Sequence, residues 1–210
     1  MSVSPVEIRD LTFSYNSADP VLSDFSLSLD VDERLVVTGA NGCGKTTLLH
    51  LIMGLESLQS GTIEILGTPR ETEADFMDAR KHVGLLFQDV DNQLFSPTVF
   101  EDVAFGPLNL GHSPAESHDM AHETLEQLGL GDLTRRITYQ LSHGQKRLVA
   151  LATILAMKPE VLLLDEPTTG LDETHEARLT EILAGLPQSM LIVSHNQPFI
   201  ERIGTRSLGL

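Results

Sequence analysis

Apolar and polar positions alternate over residues 6–15 and again over Leu22–Leu29, which predicts two half-buried antiparallel strands joined by the turn Asn16, Ser17, Ala18, Asp19, Pro20. The pattern then changes. Unbroken apolar runs stand at 35–37, 83–87, 161–164 and 190–193, as expected of parallel strands covered by helices on both faces. A further strand is predicted at 61–66. Between residues 91 and 138 the period becomes helical, and 114–128 places Ala115, Met120, Ala121, Leu125 and Leu128 at near-helical spacing before Gly129. Another helix is expected over 148–157. The pattern predicts one α/β domain, 1–210, with a mostly parallel central sheet, N-terminal antiparallel β strands and a helical subdomain inserted at about 91–157.

Charge narrows the choice of partner. Fourteen Lys and Arg against 30 Asp and Glu leave a net charge of −16, which repels the phosphates of nucleic acids and anionic lipids. No nucleic-acid partner is expected, although the few basic residues do cluster at Arg135, Arg136, Lys146 and Arg147. The single cysteine excludes an internal disulfide and suits a reducing cytosol. The apolar runs are far too short to cross a bilayer, and Met1 is followed by polar and acidic residues rather than a basic-then-apolar signal. The expectation is a soluble chain that touches a membrane only through a partner.

Chemistry enters after the third predicted strand. Gly39, Ala40, Asn41, Gly42, Cys43, Gly44, Lys45, Thr46 and Thr47 fit the phosphate-loop pattern G-x-x-x-x-G-K-[ST], with the strand before and the helix after that the pattern requires. Glycines let the chain wrap phosphate oxygens with its N–H groups, and the helix start adds partial positive charge. Lys45 is suited to the β- and γ-phosphates and the Thr46 hydroxyl to a bridging Mg²⁺. The loop predicts binding of ATP or GTP. Cys43 inside it is either a reactive thiol or a small side chain that fits.

The run at 161–164 ends in Asp165 and Glu166, at the carboxyl edge of a parallel sheet where ligands bind in this architecture. Asp165 is suited to holding Mg²⁺ and Glu166 to deprotonating an attacking water. A third signal is Leu141, Ser142, His143, Gly144, Gln145. With the phosphate loop and the strand-end acids in this order, it resembles the Leu-Ser-Gly-Gly-Gln signature of ATP-binding-cassette (ABC) ATPases, over essentially the whole chain.

That resemblance implies ATP and Mg²⁺ as cofactors and ATP hydrolysis as the activity. It implies that Tyr15 stacks on adenine, that Gln88 contacts Mg²⁺ and senses a membrane partner, that Asp172 links two nucleotide sites, and that His195 contacts the γ-phosphate. Glu166, His195, Lys45 and Gln88 are then the catalytic set, and Thr46, Gln88 and Asp165 the metal set. Ser142, Gly144 and Gln145 would face the phosphate loop of a second ABC subunit across a head-to-tail homo- or heterodimer. His143 stands where the family has its first signature glycine.

Residues 89–111, with Asp91, Asn92, Gln93, Leu94, Phe95 and then Glu101, Asp102, Val103, Ala104, Phe105, Gly106, Pro107, resemble the cobalt- and nickel-type ATPases of energy-coupling-factor importers. The implied partners are a transmembrane coupling subunit and a substrate-binding membrane component, at the cytoplasmic face of the cell membrane. Leu94, Phe95 and Val99 are expected as apolar anchors, with Asp89, Asp91, Glu101 and Asp102 for arginines of the coupling helices. Many relatives carry a further C-terminal segment that helps hold the dimer, so ATP or the membrane partner is expected to hold it here. His118 and His122 read as a surface pair rather than metal ligands. An importer of another cargo, such as a vitamin, and a soluble ABC ATPase of DNA repair or translation are the alternatives.

Overall fold

A computed structural model describes residues 3–15 and 19–210. Asn16, Ser17 and Ala18, the first residues of the expected turn, lie outside the described residues. The chain divides into two units, Met1–Leu85 with Glu160–Asp165 and Pro187–Leu210, and Leu86–Pro159 with Glu166–Leu186.

In the first unit, β1 (Val6–Phe13) pairs antiparallel with β2 (Leu22–Leu29), close to the predicted bounds. Val6, Ile8, Leu11 and Phe13 are buried, and a register shift between Ile8 and Leu11 lets the buried face resume after Arg9 and Asp10. β3 (Arg34–Thr38) leads through the glycine loop into helix α1 (Lys45–Ile52). β4 (Ser60–Ile65) adds to β1, and the two-residue β5 (Thr68–Pro69) closes a four-stranded sheet of order β2-β1-β4-β5. Helix α2 (Glu73–Ala79) starts in a reciprocal cap between Thr72 and Asp75. The strand β6 (Val83–Leu86) follows, one residue shorter than its apolar run.

In the second unit, α3 (Val99–Asn109) and α4 (Pro114–Gln127) each begin with a capping box, Thr98 with Glu101 and Ser113 with Glu116. Helix α5 (His143–Leu155) starts at the signature itself, five residues before the expected helix, because Ser142 and Gln145 cap each other reciprocally. The chain returns to the first unit for β7 (Val161–Asp165), every residue of which is buried. Helix α6 (Glu173–Gly185) belongs to the second unit. The wholly buried strand β8 (Ser189–Val193), helix α7 (Gln197–Ile203) and strand β9 (Arg206–Gly209) complete the first.

The second sheet has the order β6-β7-β8-β3-β9, with β3 parallel to β8 and β9, and β7 parallel to β8. Leu35, Val36, Val37, Leu162, Leu163, Leu191 and Ile192 are 0% exposed, as a sheet covered on both faces requires. Each such side chain contributes about 1.5–3 kcal/mol. The short elements β5, α2, α7 and β9 had no sequence signal strong enough to be read.

Three surface expectations are corrected in the second unit. Arg147 is fully buried and Lys146 pairs with Asp91 at 2.6 Å, so the basic residues form no common patch. Val99 is buried in the first turn of α3 rather than exposed as an anchor. Asp102 is also buried, its Oδ1 accepting the N–H groups of Ser96 at 2.9 Å and Phe95 at 3.2 Å, and so is withdrawn from any outside arginine.

Candidate active site

The phosphate loop is built by backbone conformation. Gly42 and Gly44 have φ of 81° and 104°, and a Cβ on Gly44 would lie 2.7 Å from Val21 Cγ1, so only glycine fits as the N-cap of α1. Lys45, 8% exposed, donates through Nζ to the carbonyls of Gly39 at 2.9 Å and Ala40 at 3.0 Å, which holds its charge over the loop. Cys43 Sγ lies 3.9 Å from the same amine. Ala40, Asn41 and Gly42 are exposed at the tip, open to a ligand.

The Thr46 hydroxyl donates to Asp165 Oδ2 at 2.8 Å. One bond thus joins the loop to the end of β7. A hydroxyl beside a buried carboxylate is a pair of hard oxygen donors, the chemistry Mg²⁺ takes, so these residues fit the ion that the fold implies. Thr47 is buried and shares a hydrogen bond of 3.1 Å with the hydroxyl of Tyr15, whose ring is 55% exposed and packs edge-on against Phe13. His195 is exposed, two residues past the end of β8 and just before Asn196, which caps α7.

In the second unit, Glu166 is 7% exposed and has φ 45°, a left-handed conformation rare for a non-glycine residue and rarer before a proline, here Pro167. Gln88 has an exposed side chain, and its carbonyl accepts from Arg147 at 2.8 Å. Arg147 also donates to the Phe87 carbonyl at 2.7 Å. Gln93 accepts from Phe87 N–H at 3.3 Å and donates to the Ala150 carbonyl at 2.8 Å, so the segment after β6 is fastened to α5 from both ends. Ser142 is exposed at the helix start, while Gly144 is buried.

Asp172 caps α6 by accepting the His175 N–H at 2.9 Å, and its carboxylate also accepts from His175 Nδ1 at 2.8 Å. These donors hold the Asp172 carboxyl below the usual carboxylate range. Sequence reading missed Arg147, Gln93 and His175. In sequence Arg147 reads as surface charge, Gln93 enters only as part of a resemblance, and His175 carries no motif beyond standing three residues after a helix cap. His118 sets its ring against Phe100 at 5.2 Å, and among the described residues no group of three or more His, Cys, Asp or Glu is arranged to hold a metal ion.

The sequence profile of the ABC transporter family matches residues 22–169. The chain belongs to the ABC transporter ATPases. An ABC transporter ATP-binding protein of Brucella suis is 52% identical over 190 residues, which cover 90% of this chain and 79% of that protein. The cobalt import ATP-binding protein CbiO of Rhodobacter capsulatus is 48% identical over 177 residues, or 84% of this chain and 63% of that protein. Among solved structures, cbiO1 of Clostridium perfringens, part of the ABC transporter complex cbiONQ, superposes with a TM-score of 0.88 at 30% identity, covering 98% of this chain and 84% of that one. This ABC ATPase therefore binds and hydrolyses ATP to power transport, in a family that works as dimers with transmembrane components. Among the described residues no helix is long and apolar enough to cross a membrane.

Proposed function

We propose that this ABC ATPase drives an energy-coupling-factor-type importer of cobalt or nickel ions from the cytoplasmic face of the membrane. The observation that carries the site reading is the Thr46–Asp165 hydrogen bond, which sets the loop hydroxyl beside the strand-end acid while Lys45 holds its charge over the same loop. The cargo reading is supported by the CbiO relative and by the sequence of residues 89–111.

In this reading the loop N–H groups, Lys45 and the start of α1 bind the β- and γ-phosphates, and Tyr15 stacks on adenine. Thr46 and Asp165 hold Mg²⁺, with Gln88 assigned as a further ligand on the resemblance alone. The ion would neutralise phosphate charge and polarise the transferring group. Glu166 accepts the proton of the water whose oxygen bonds to the γ-phosphorus as the bond to the ADP oxygen breaks. His195 contacts the γ-phosphate. Ser142, Gly144, Gln145 and Asp172 act on the nucleotide of a second cassette. For the coupling subunit, Phe95 and Phe105, 65% and 45% exposed with ring centroids 4.7 Å apart, supply apolar anchors in place of Val99.

Replacing Glu166 by Gln is expected to lower hydrolysis by roughly 10²–10⁴-fold while ATP still binds, trapping an ATP-bound dimer detectable by light scattering. Normal hydrolysis by Glu166→Gln would remove Glu166 from its role. Cargo is read separately. Proteoliposomes carrying the chain with its membrane subunits are expected to take up Co²⁺ or Ni²⁺ only with ATP, and ATP-driven uptake of biotin instead would reassign the importer.

A further inference from the structure

Within the second unit, the signature segment and the loop before α6 are tied together twice, each time by a histidine. His143 Nε2–H donates to the Thr169 carbonyl at 3.3 Å, and a Cβ on Gly170 would come within 3.0 Å of that nitrogen. The side chain that departs from the family signature therefore makes a bond a glycine cannot. His175 makes the second tie. Its Nδ1–H is held by the Asp172 carboxylate at 2.8 Å, and its ring covers Gly144, where an added Cβ would lie 2.5 Å from Cδ2. That is well inside the roughly 3.5–4.0 Å of a carbon–carbon contact, so the ring occupies the space that the glycine leaves. Asp172 is 66% exposed and His175 only 27%, so the acid meets the outside and the ring stands behind it.

We propose that His175 is a positioning residue for ATP hydrolysis: it transmits the placement of Asp172 to the start of α5, and with it to Ser142 and Gly144. This rests on reading Asp172 and Ser142 as groups that meet a second cassette. The imidazole acts through Asp172 and Gly144. A displaced Asp172 carries the ring with it, and the ring bears on the backbone of Gly144. The tie from His143 to Thr169 makes residues 169–172 and the helix start move together. The helix cap does not depend on the imidazole, because Asp172 accepts the backbone N–H of residue 175 whatever its side chain.

The test uses the full chain. His175→Ala is expected to leave binding of a fluorescent ATP analogue to the monomer unchanged within about twofold, since the phosphate loop is untouched. In a Glu166→Gln background it is expected to weaken ATP-driven association on the order of tenfold, the effect of one hydrogen bond to a charged group. In the wild-type background kcat falls and the monomer's nucleotide affinity does not. His175→Asn, whose amide N–H can replace Nδ1–H, recovers most of the association. The pair Gly144→Ala with His175→Ala associates better than Gly144→Ala alone, because the ring that opposed the new Cβ is gone. Parental association by His175→Ala, or no relief in the pair, overturns the proposal. If His175→Ala lowers the melting temperature, the Asn variant decides: failure to recover while melting normally also overturns it. Ser142→Ala separates the two readings. If it weakens association and His175→Ala does not, only the inference fails; if neither matters, the shared-site reading falls with it.

Discussion

Glu166 shows how much a single residue is held against its preference. A left-handed non-glycine residue costs about 1–3 kcal/mol, and the conformation persists only where the surroundings enforce it, here at the end of a wholly buried strand. Asp102 is held against its preference in another way. Burial pushes its carboxyl above the ordinary range, partly offset by the N–H groups of Ser96 and Phe95, and its Oδ2 has no hydrogen-bond partner. A carboxyl raised in the folded state binds its proton more tightly there than in the unfolded chain, so stability is lost as pH climbs from about 3.9 through the raised value. Asp102→Asn removes that loss. Its melting temperature relative to wild type is expected to improve from about pH 4 up to the raised value and to level off above it, and a flat difference would refute this; any constant cost of the amide drops out of the slope. The contrast with Lys45, Thr46 and Asp165 explains what could be read beforehand. Those residues stand in patterns set by immediate neighbours in the chain, so spacing alone singles them out. Asp102 reads in sequence as a surface acid because its fate depends on which face α3 buries.

Among the elements, α5 does the most organising. Its first turn carries the signature, its second carries Lys146 and Arg147, and its later turns receive Gln93 at the Ala150 carbonyl and Thr153 hydroxyl. Arg147→Met leaves the carbonyls of Phe87 and Gln88 without their buried donor and is expected to cost about 3 kcal/mol, read as a lower urea midpoint with an unchanged slope. A midpoint within error of wild type would mean that the segment after β6 holds itself. The long apolar runs of β3, β7 and β8 were legible because a strand buried on both faces has no polar positions to confuse the period. The start of α5 lies earlier than the apolar pattern indicates. Its signature residues are polar and look like a loop, although Ser142 and Gln145 carry the spacing of a capping box. β5, α2, α7 and β9 are too short for a period to declare itself, and pairing with residues far along the chain decides them.

At the scale of the molecule the first fact is charge. In a homodimer closed over ATP each copy would bring a net charge of −16, and their repulsion would act over the Debye length of the medium. Raising ionic strength from about 0.01 M to about 0.15 M shortens that length from roughly 30 Å to 8 Å, so ATP-driven association is expected to tighten with salt. Sedimentation at both strengths checks this, and weakening with salt would show that local attractive pairs outweigh the overall field. The sheet order has a consequence of a different kind, for the chain as it is made. β3 lies between β8 and β9, and the Thr38 hydroxyl donates to the Leu208 carbonyl, 170 residues further along the chain. At about 5–20 residues per second a ribosome needs roughly 10–30 s to cover that distance. For most of it, until β8 is made, the strand that presents the phosphate loop is synthesised but lacks both of its hydrogen-bonded neighbours. Through that interval the nascent chain carries Leu35, Val36 and Val37 unpaired, a natural holding site for a chaperone.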